Sequence, residues 1–145
     1  MTVPASEQIY FLSSPEETLA LGKEIGSTLS KGSVLTLTGD LGAGKTTFVK
    51  GIGSALGIQE TSINSPTFTY LHVYDGRLPL YHFDLYRLRS SHEFLDAGFE
   101  EYLEKGVACI EWPQHALPFL PVHALHLKFT HEGETVRKIE IRGKR

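Results

Sequence analysis

Gly39-Asp40-Leu41-Gly42-Ala43-Gly44-Lys45-Thr46 follows directly on the apolar run Val34-Leu35-Thr36-Leu37, and this junction decides the fold. The segment has the form Gly-x4-Gly-Lys-Thr, whose glycines let successive backbone N–H groups converge on an anion. Downstream, Phe48, Val49, Ile52, Ala55 and Leu56 recur at helical spacing and stop at Gly57, where a helix C-cap is expected. Strand, glycine loop and helix in that order make a phosphate-binding loop, because the positive end of the helix dipole meets the loop amides at one place. Lys45 brings a point charge for the β- and γ-phosphates, and Thr46 brings a hydroxyl for magnesium.

The flanking sequence extends this unit in both directions. Gln8 to Leu12 reads as a first strand, and Ser14-Pro15-Glu16-Glu17 supplies an N-cap serine, a proline at the first helical position and a capping-box glutamate. Leu21, Ile25 and Leu29 carry that helix towards Gly32. Beyond Gly57, two β-rich runs, Thr67 to Tyr74 and Leu78 to Leu85, flank Asp75-Gly76-Arg77 as a hairpin. Ser91 to Glu104 reads as a helix broken near Gly98, Val107 to Ile110 as a buried strand, and Ala124 to Thr130 with Val136 to Ile141 as a final strand pair. The expected architecture is a single α/β domain over residues 1–145, a P-loop NTPase fold built as a three-layer sandwich around a mixed central sheet.

Composition agrees with one soluble domain: 145 residues, 41% hydrophobic and 21% charged. No apolar run approaches the ~20 residues of a membrane span, and Met1 to Tyr10 lacks the pattern of an export signal. The lone Cys109 has no intramolecular disulfide partner, so a cytoplasmic protein is expected. A net charge of −3 gives no reason to expect a nucleic-acid partner. Arg137, Lys138, Arg142, Lys144 and Arg145 oppose only Glu140, and the basic tail reads either as a solvated strand face or as a contact for phosphates or an acidic partner.

Hydrolysis needs an acid at a neighbouring strand end, and two apolar runs close on one: Leu80-Tyr81-His82-Phe83 on Asp84, and Val107-Ala108-Cys109-Ile110 on Glu111. The loop Asn64-Ser65-Pro66-Thr67-Phe68-Thr69 is a further candidate, either a plain turn or a sensor of the γ-phosphate. Trp112 reads as packing under the nucleotide, as a cover for the sheet edge or, by default, as core packing, and the seven histidines show no metal-ligand spacing. There is no Asn-Lys-x-Asp guanine-reading element, which leaves ATP the expected nucleotide, and no arginine-rich lid of the kind found in small-molecule kinases.

Taken with the phosphate loop, the segments Ser65-Pro66-Thr67-Phe68, His82-Phe83-Asp84-Leu85-Tyr86-Arg87, Gly98-Phe99-Glu100-Glu101-Tyr102 and Ile110-Glu111-Trp112-Pro113 resemble the TsaE (YjeE) family in order, over about three quarters of the chain. Tyr70 stands where that family usually has leucine. The resemblance implies a small ATPase that docks on TsaB and TsaD and resets that pair while threonylcarbamoyladenosine is made beside the anticodon of tRNAs reading codons that begin with A. It implies nucleotide contacts from Leu41, Gly42, Ala43, Gly44, Lys45, Thr46 and Thr47, magnesium ligands in Thr46 and Glu111, and catalytic roles for Asp84 and Lys45. Three readings stand at this point: an ATPase driving a partner cycle, a nucleotide-gated binding module with incidental turnover, and a small-molecule kinase, which the missing lid disfavours.

Overall fold

The computed structural model describes residues 7–40, 42–64 and 70–143. Leu41, the Ser65–Thr69 part of the candidate sensor loop, and the tail residues Lys144 and Arg145 lie outside them.

Seven strands form one sheet: β1 (Glu7–Leu12), β2 (Val34–Gly39), β3 (Leu71–Tyr74), β4 (Leu80–Asp84), β5 (Val107–Glu111), β6 (Leu125–His131) and β7 (Arg137–Arg142), in the spatial order β1-β7-β6-β2-β5-β4-β3. The central strands β6, β2, β5 and β4 are parallel, while β3, β7 and β1 are antiparallel additions at the two edges. The mixed α/β sheet expected from the sequence is therefore present. Its parallel centre follows from the composition of β2, β4 and β5, which are buried on both faces nearly throughout. The outer strand β6 alternates instead, with Leu125, Leu127 and Phe129 inward and Lys128 exposed.

Two helices cover one face. In α1 (Pro15–Gly26), Ser14 caps the start by accepting a hydrogen bond from the Glu17 N–H at 3.2 Å, and the Glu17 carboxylate accepts from the Ser13 N–H at 3.3 Å. The helix stops at Gly26, six residues short of the Gly32 expected from its periodicity. The Ser27 and Thr28 hydroxyls donate to the carbonyls of Glu24 and Ile25, both at 2.7 Å, and so satisfy the helix end locally. Leu29 still packs on the core, but from a turn. The helix α2 (Lys45–Ala55) ends where expected, with Gly57 at φ +83° just beyond it.

Between α1 and α2 there is almost no space. A Cβ on Gly51 would meet the Leu19 carbonyl and come within 2.8 Å of the Gly22 Cα, so these glycines let two backbones touch. Phe48 of α2 then reaches Phe129 of β6 edge-on, with centroids 5.6 Å apart.

The opposite face is only half covered. The short helix α3 (Ser91–Asp96) and the 3₁₀ turn Phe99–Glu104 pack Phe94, Phe99 and Tyr102 around Phe83 of β4. The sequence places one broken helix here, and the structure resolves it into these two pieces on either side of Gly98. Towards β1 this face is open to solvent, and Phe11 is 62% exposed beside Lys138 of β7; Pro113 and Leu117 flank it only next to His126 and Lys128 of β6. Within Arg137–Arg142, Ile139 and Ile141 point inward while Lys138, Glu140 and Arg142 share the opposite face, in keeping with the strand-face reading for those two basic residues; Arg137 lies at the strand's start on the side of Ile139. No helix among the described residues is long and apolar enough to cross a membrane.

The helix contact makes a test. An alanine in place of a mid-helix glycine ordinarily gains about 1 kcal/mol of helix stability, whereas forcing a methyl group into a packed site costs about 1–3 kcal/mol. At Gly51 the obstructing atoms are backbone and cannot swing away, so crowding wins. Gly51→Ala is expected to lower the denaturant midpoint of unfolding, and a midpoint at or above that of the parent chain would sink this account of the α1–α2 contact.

Candidate functional site

The strand β2 delivers the chain to the phosphate loop between the C-terminal ends of β5 and β6. Gly39, at φ +119°, makes the exit: a Cβ there would collide with the Phe129 backbone, so only glycine fits so close to β6. Two bonds then pin the start of the loop to β6. The Asp40 N–H donates to the Phe129 carbonyl at 3.0 Å, and the Asp40 carboxylate accepts from the His131 N–H at 3.0 Å. Gly44, also left-handed at φ +100°, stands at the N-cap of α2 without a side-chain cap, which leaves the first helical N–H groups to the loop opening.

Lys45 folds back over this turn and donates from Nζ to the Gly39 carbonyl at 3.1 Å. Thr46 and Thr47 follow in the first turn of α2, both part-exposed. A small cavity of about 100 Å³, lined by Leu37, Thr38, Gly39, Lys45, Trp112 and Gln114, adjoins the lysine. A much larger hollow of about 700 Å³ lies elsewhere, between Lys31, Glu100, Glu104 and Phe119, and contains none of these groups. Phosphate binding by a backbone cradle asks for converging amides rather than a deep cavity, so the smaller feature marks the chemistry.

The two strand-end acids meet. Asp84 and Glu111 are register partners on the parallel strands β4 and β5, and Glu111 is in turn the partner of Leu37 in β2. All three positions share a face with Leu80, Val107 and Cys109, the face on which α2 lies. The strand order thus brings the candidate acids to the phosphate-loop side of the sheet.

Burial pushes the Asp84 carboxyl above its ordinary value, and the neighbouring Glu111 charge adds to the shift. Opposing it are the Tyr86 N–H, which donates to Oδ1 at 3.0 Å, the nearby His82 ring and the Lys45 charge. Burial, with Glu111 nearby, also pushes the Cys109 thiol up to about 12, which makes it an inert core residue. Two adjacent carboxylates are hard oxygen donors with surplus negative charge, a chemistry that fits a small divalent cation. Among the described residues no group of three or more His, Cys, Asp or Glu forms a metal cluster, so a cation here would need oxygens from Thr46 and the nucleotide as well.

Two residues depart from what the sequence suggests. Trp112 is 43% exposed rather than core, the default reading, and lines the small cavity beside Lys45 in a left-handed conformation at φ +53°. It leaves β5 immediately after Glu111, and its ring meets the exposed Tyr86 edge-on with centroids 4.9 Å apart. A non-glycine residue held there costs on the order of 1–2 kcal/mol. Nothing in the residues before it signals that turn. His82 is not among the candidate site residues of the sequence, yet its Nε2 lies 2.7 Å from the Glu111 carboxylate, and the ring is fully buried. A signal for it exists: His82 stands two residues before Asp84 in a strand and must share its face. Of the candidate sensor loop only Asn64 is described, with its backbone N–H donating to the Tyr74 hydroxyl at 3.2 Å.

Comparison with known proteins converges on one family. Residues 12–139 match the family model described as Threonylcarbamoyl adenosine biosynthesis protein TsaE. Proteins named tRNA threonylcarbamoyladenosine biosynthesis protein TsaE are similar along most of their length. The one from Nostoc sp. is 44% identical, over 97% of this chain and 88% of the relative. The one from Bacillus subtilis is 46% identical, over 86% of this chain and 78% of the relative. A crystal structure of B. subtilis YdiB superposes with a TM-score of 0.79 at 36% identity, covering 98% of this chain and 88% of the other.

The charge arrangement sets a pH-dependent expectation. Because the folded state holds the Asp84 proton more tightly than the unfolded chain does, the ionised carboxylate costs stability at neutral pH, and the cost disappears below its ordinary value of 3.8. Asp84→Asn keeps an acceptor for the Tyr86 N–H and removes the charge. The ligand-free variant is expected to melt above the parent at pH 7, with the gap closing as the pH falls towards about 4, and calorimetry at the two pH values checks it. Equal melting at pH 7 would show that the carboxylate is unstrained.

Proposed function

Because the chain belongs to the TsaE family of threonylcarbamoyladenosine biosynthesis on tRNA, we propose that it is a slow magnesium-dependent ATPase whose nucleotide cycle serves a TsaB–TsaD pair. One observation carries this reading: the phosphate loop, with Lys45 at its mouth, opens on the face where Asp84 and Glu111 stand side by side at the ends of β4 and β5.

Each group has a task that follows from its chemistry. The amides of 42–46 and the Lys45 ammonium bind the β- and γ-phosphates, so Lys45 must exchange its bond to the Gly39 carbonyl for phosphate oxygens. Thr46 and Glu111 would hold Mg²⁺, which supplies charge neutralisation between the phosphates. Asp84 orients a water towards the γ-phosphorus. As the water oxygen bonds to phosphorus, the bond to the β–γ bridging oxygen breaks, and the proton passes to solvent or to the Asp84 carboxylate. Burial holds that carboxyl above its ordinary value and so nearer the working pH, which makes it a better proton acceptor than an exposed aspartate. The expected rate is low, because a phosphate loop without an added cationic group leaves the charge on the transferred phosphoryl largely unbalanced. Docking on TsaB and TsaD is the proposed means by which hydrolysis acquires a purpose.

Three measurements bear on this. Lys45→Ala removes one charged hydrogen-bonding group, worth about 1.5–3 kcal/mol, and is expected to weaken binding of a fluorescent ATP analogue roughly 10- to 150-fold; unchanged affinity would place the nucleotide elsewhere. Glu111→Ala is expected to cut magnesium-dependent turnover at least about tenfold while magnesium-free nucleotide binding changes little, and turnover near the parent's rate would make Glu111 structural. Phosphate release should rise when TsaB and TsaD are added to the parent chain. If nucleotide state alters docking but the partners leave turnover flat, the chain is instead a nucleotide-gated binding module.

A further inference from the structure

Among the described residues, His82 Nδ1 is the buried side-chain nitrogen or oxygen without a hydrogen-bond partner, while Nε2 of the same ring lies 2.7 Å from Glu111 Oε2. The asymmetry assigns the tautomer. A proton on Nδ1 would be a buried donor facing no acceptor, at a cost of about 1–3 kcal/mol, so the proton sits on Nε2 and is donated to the carboxylate. The strands dictate the reach. His82 is the register partner of Cys109, so its ring leans diagonally along the β4–β5 pair to meet Glu111, two residues further towards the phosphate loop. His82 is fully buried and the Glu111 side chain is 8% exposed, so the bond is shielded from water.

Resting on the reading that Glu111 is a cation ligand, we infer that His82 is the positioning residue that makes it one. A free glutamate side chain loses about 1.5–2 kcal/mol of rotamer entropy when it is immobilised. His82 fixes that carboxylate in advance through Oε2 and leaves Oε1 for the cation. Outer groups that hold metal-binding carboxylates in this way typically contribute 10- to 100-fold in metal affinity. A purely architectural His–Glu pair would act on folding and on all nucleotide binding alike. A positioning pair acts on the cation-dependent part alone.

The test is binding of Mn²⁺, followed by electron paramagnetic resonance, in the presence of a non-hydrolysable ATP analogue, with analogue binding in EDTA measured alongside. His82→Leu is expected to weaken Mn²⁺ binding roughly 10- to 100-fold and to leave binding in EDTA within about twofold. His82→Gln, whose amide nitrogen reaches the place of Nε2, should restore most of the loss. His82→Asn, whose amide stops at the place of Nδ1, should not. If the leucine variant fails to fold, the difference between the Gln and Asn variants decides, and equal Mn²⁺ affinity in those two overturns the inference. In a Glu111→Gln background, His82→Leu should add no further loss of Mn²⁺ affinity. Equal Mn²⁺ affinity in the parent and His82→Leu, or parallel losses with and without cation, overturns the inference and leaves Glu111 as a ligand. Should Glu111→Gln itself leave Mn²⁺ affinity unchanged, the reading beneath the inference fails with it.

Discussion

The parallel pairing of β2 to β5 on one side and to β6 on the other is the constraint on which the molecule depends. In a parallel sheet all C-terminal ends lie along one edge, so whatever follows β2, β4 and β5 is brought to the same place. The phosphate loop follows β2; Asp84 and Glu111 end β4 and β5. No long loop has to find its partner, because register already sets the two carboxylates side by side. The antiparallel edge strands β1, β3 and β7 can therefore vary in exposure without disturbing that edge, and one half of the sheet carries a solvated face as a result.

Electrostatic compensation in the site is incomplete by construction. Glu111 stands close enough to Asp84 for its charge to disfavour ionisation of that carboxyl, and the groups opposing this are a lysine tied to its own loop, a histidine and a backbone amide. A well-balanced core would replace such a pair by apolar residues at little loss. Its presence beside a phosphate loop is what the proposed magnesium site would require, and the strained Trp112, one residue past Glu111, is a second local cost at the same edge.

Much of this is legible in the sequence, for identifiable reasons. The phosphate loop, the Ser14 cap, the stop at Gly57 and the hairpin between Tyr74 and Leu80 are local devices, written in residues within a few positions of one another. Asp84 and Glu111 stand out because each closes an apolar run. What escapes is non-local or depends on competition. The apolar period of α1 runs on through Leu29, but the Ser27 and Thr28 hydroxyls end the helix first. Trp112 has the composition of a core residue and is held outside by a backbone turn. His82 needs the β4–β5 register, which two separated runs do not reveal one at a time.

The ties from Asp40 to Phe129 and His131 bear on how the protein comes into being. Both neighbours of β2, β5 and β6, lie far along the chain, and its contact with β6 spans about ninety positions, as in the Thr36–His126 hydrogen bond. Contacts of such long sequence separation form late, after their loop-closure entropy is met. During synthesis from the N-terminus, residues 39–46 are complete early, but the walls that shape them into an anion cradle arrive only with the last third of the chain. A nascent chain halted before β6 therefore carries the whole phosphate-loop motif without the two ties that anchor Asp40. On the proposed reading, affinity for the nucleotide would accordingly belong only to a chain that has reached β6, and would report that it has done so.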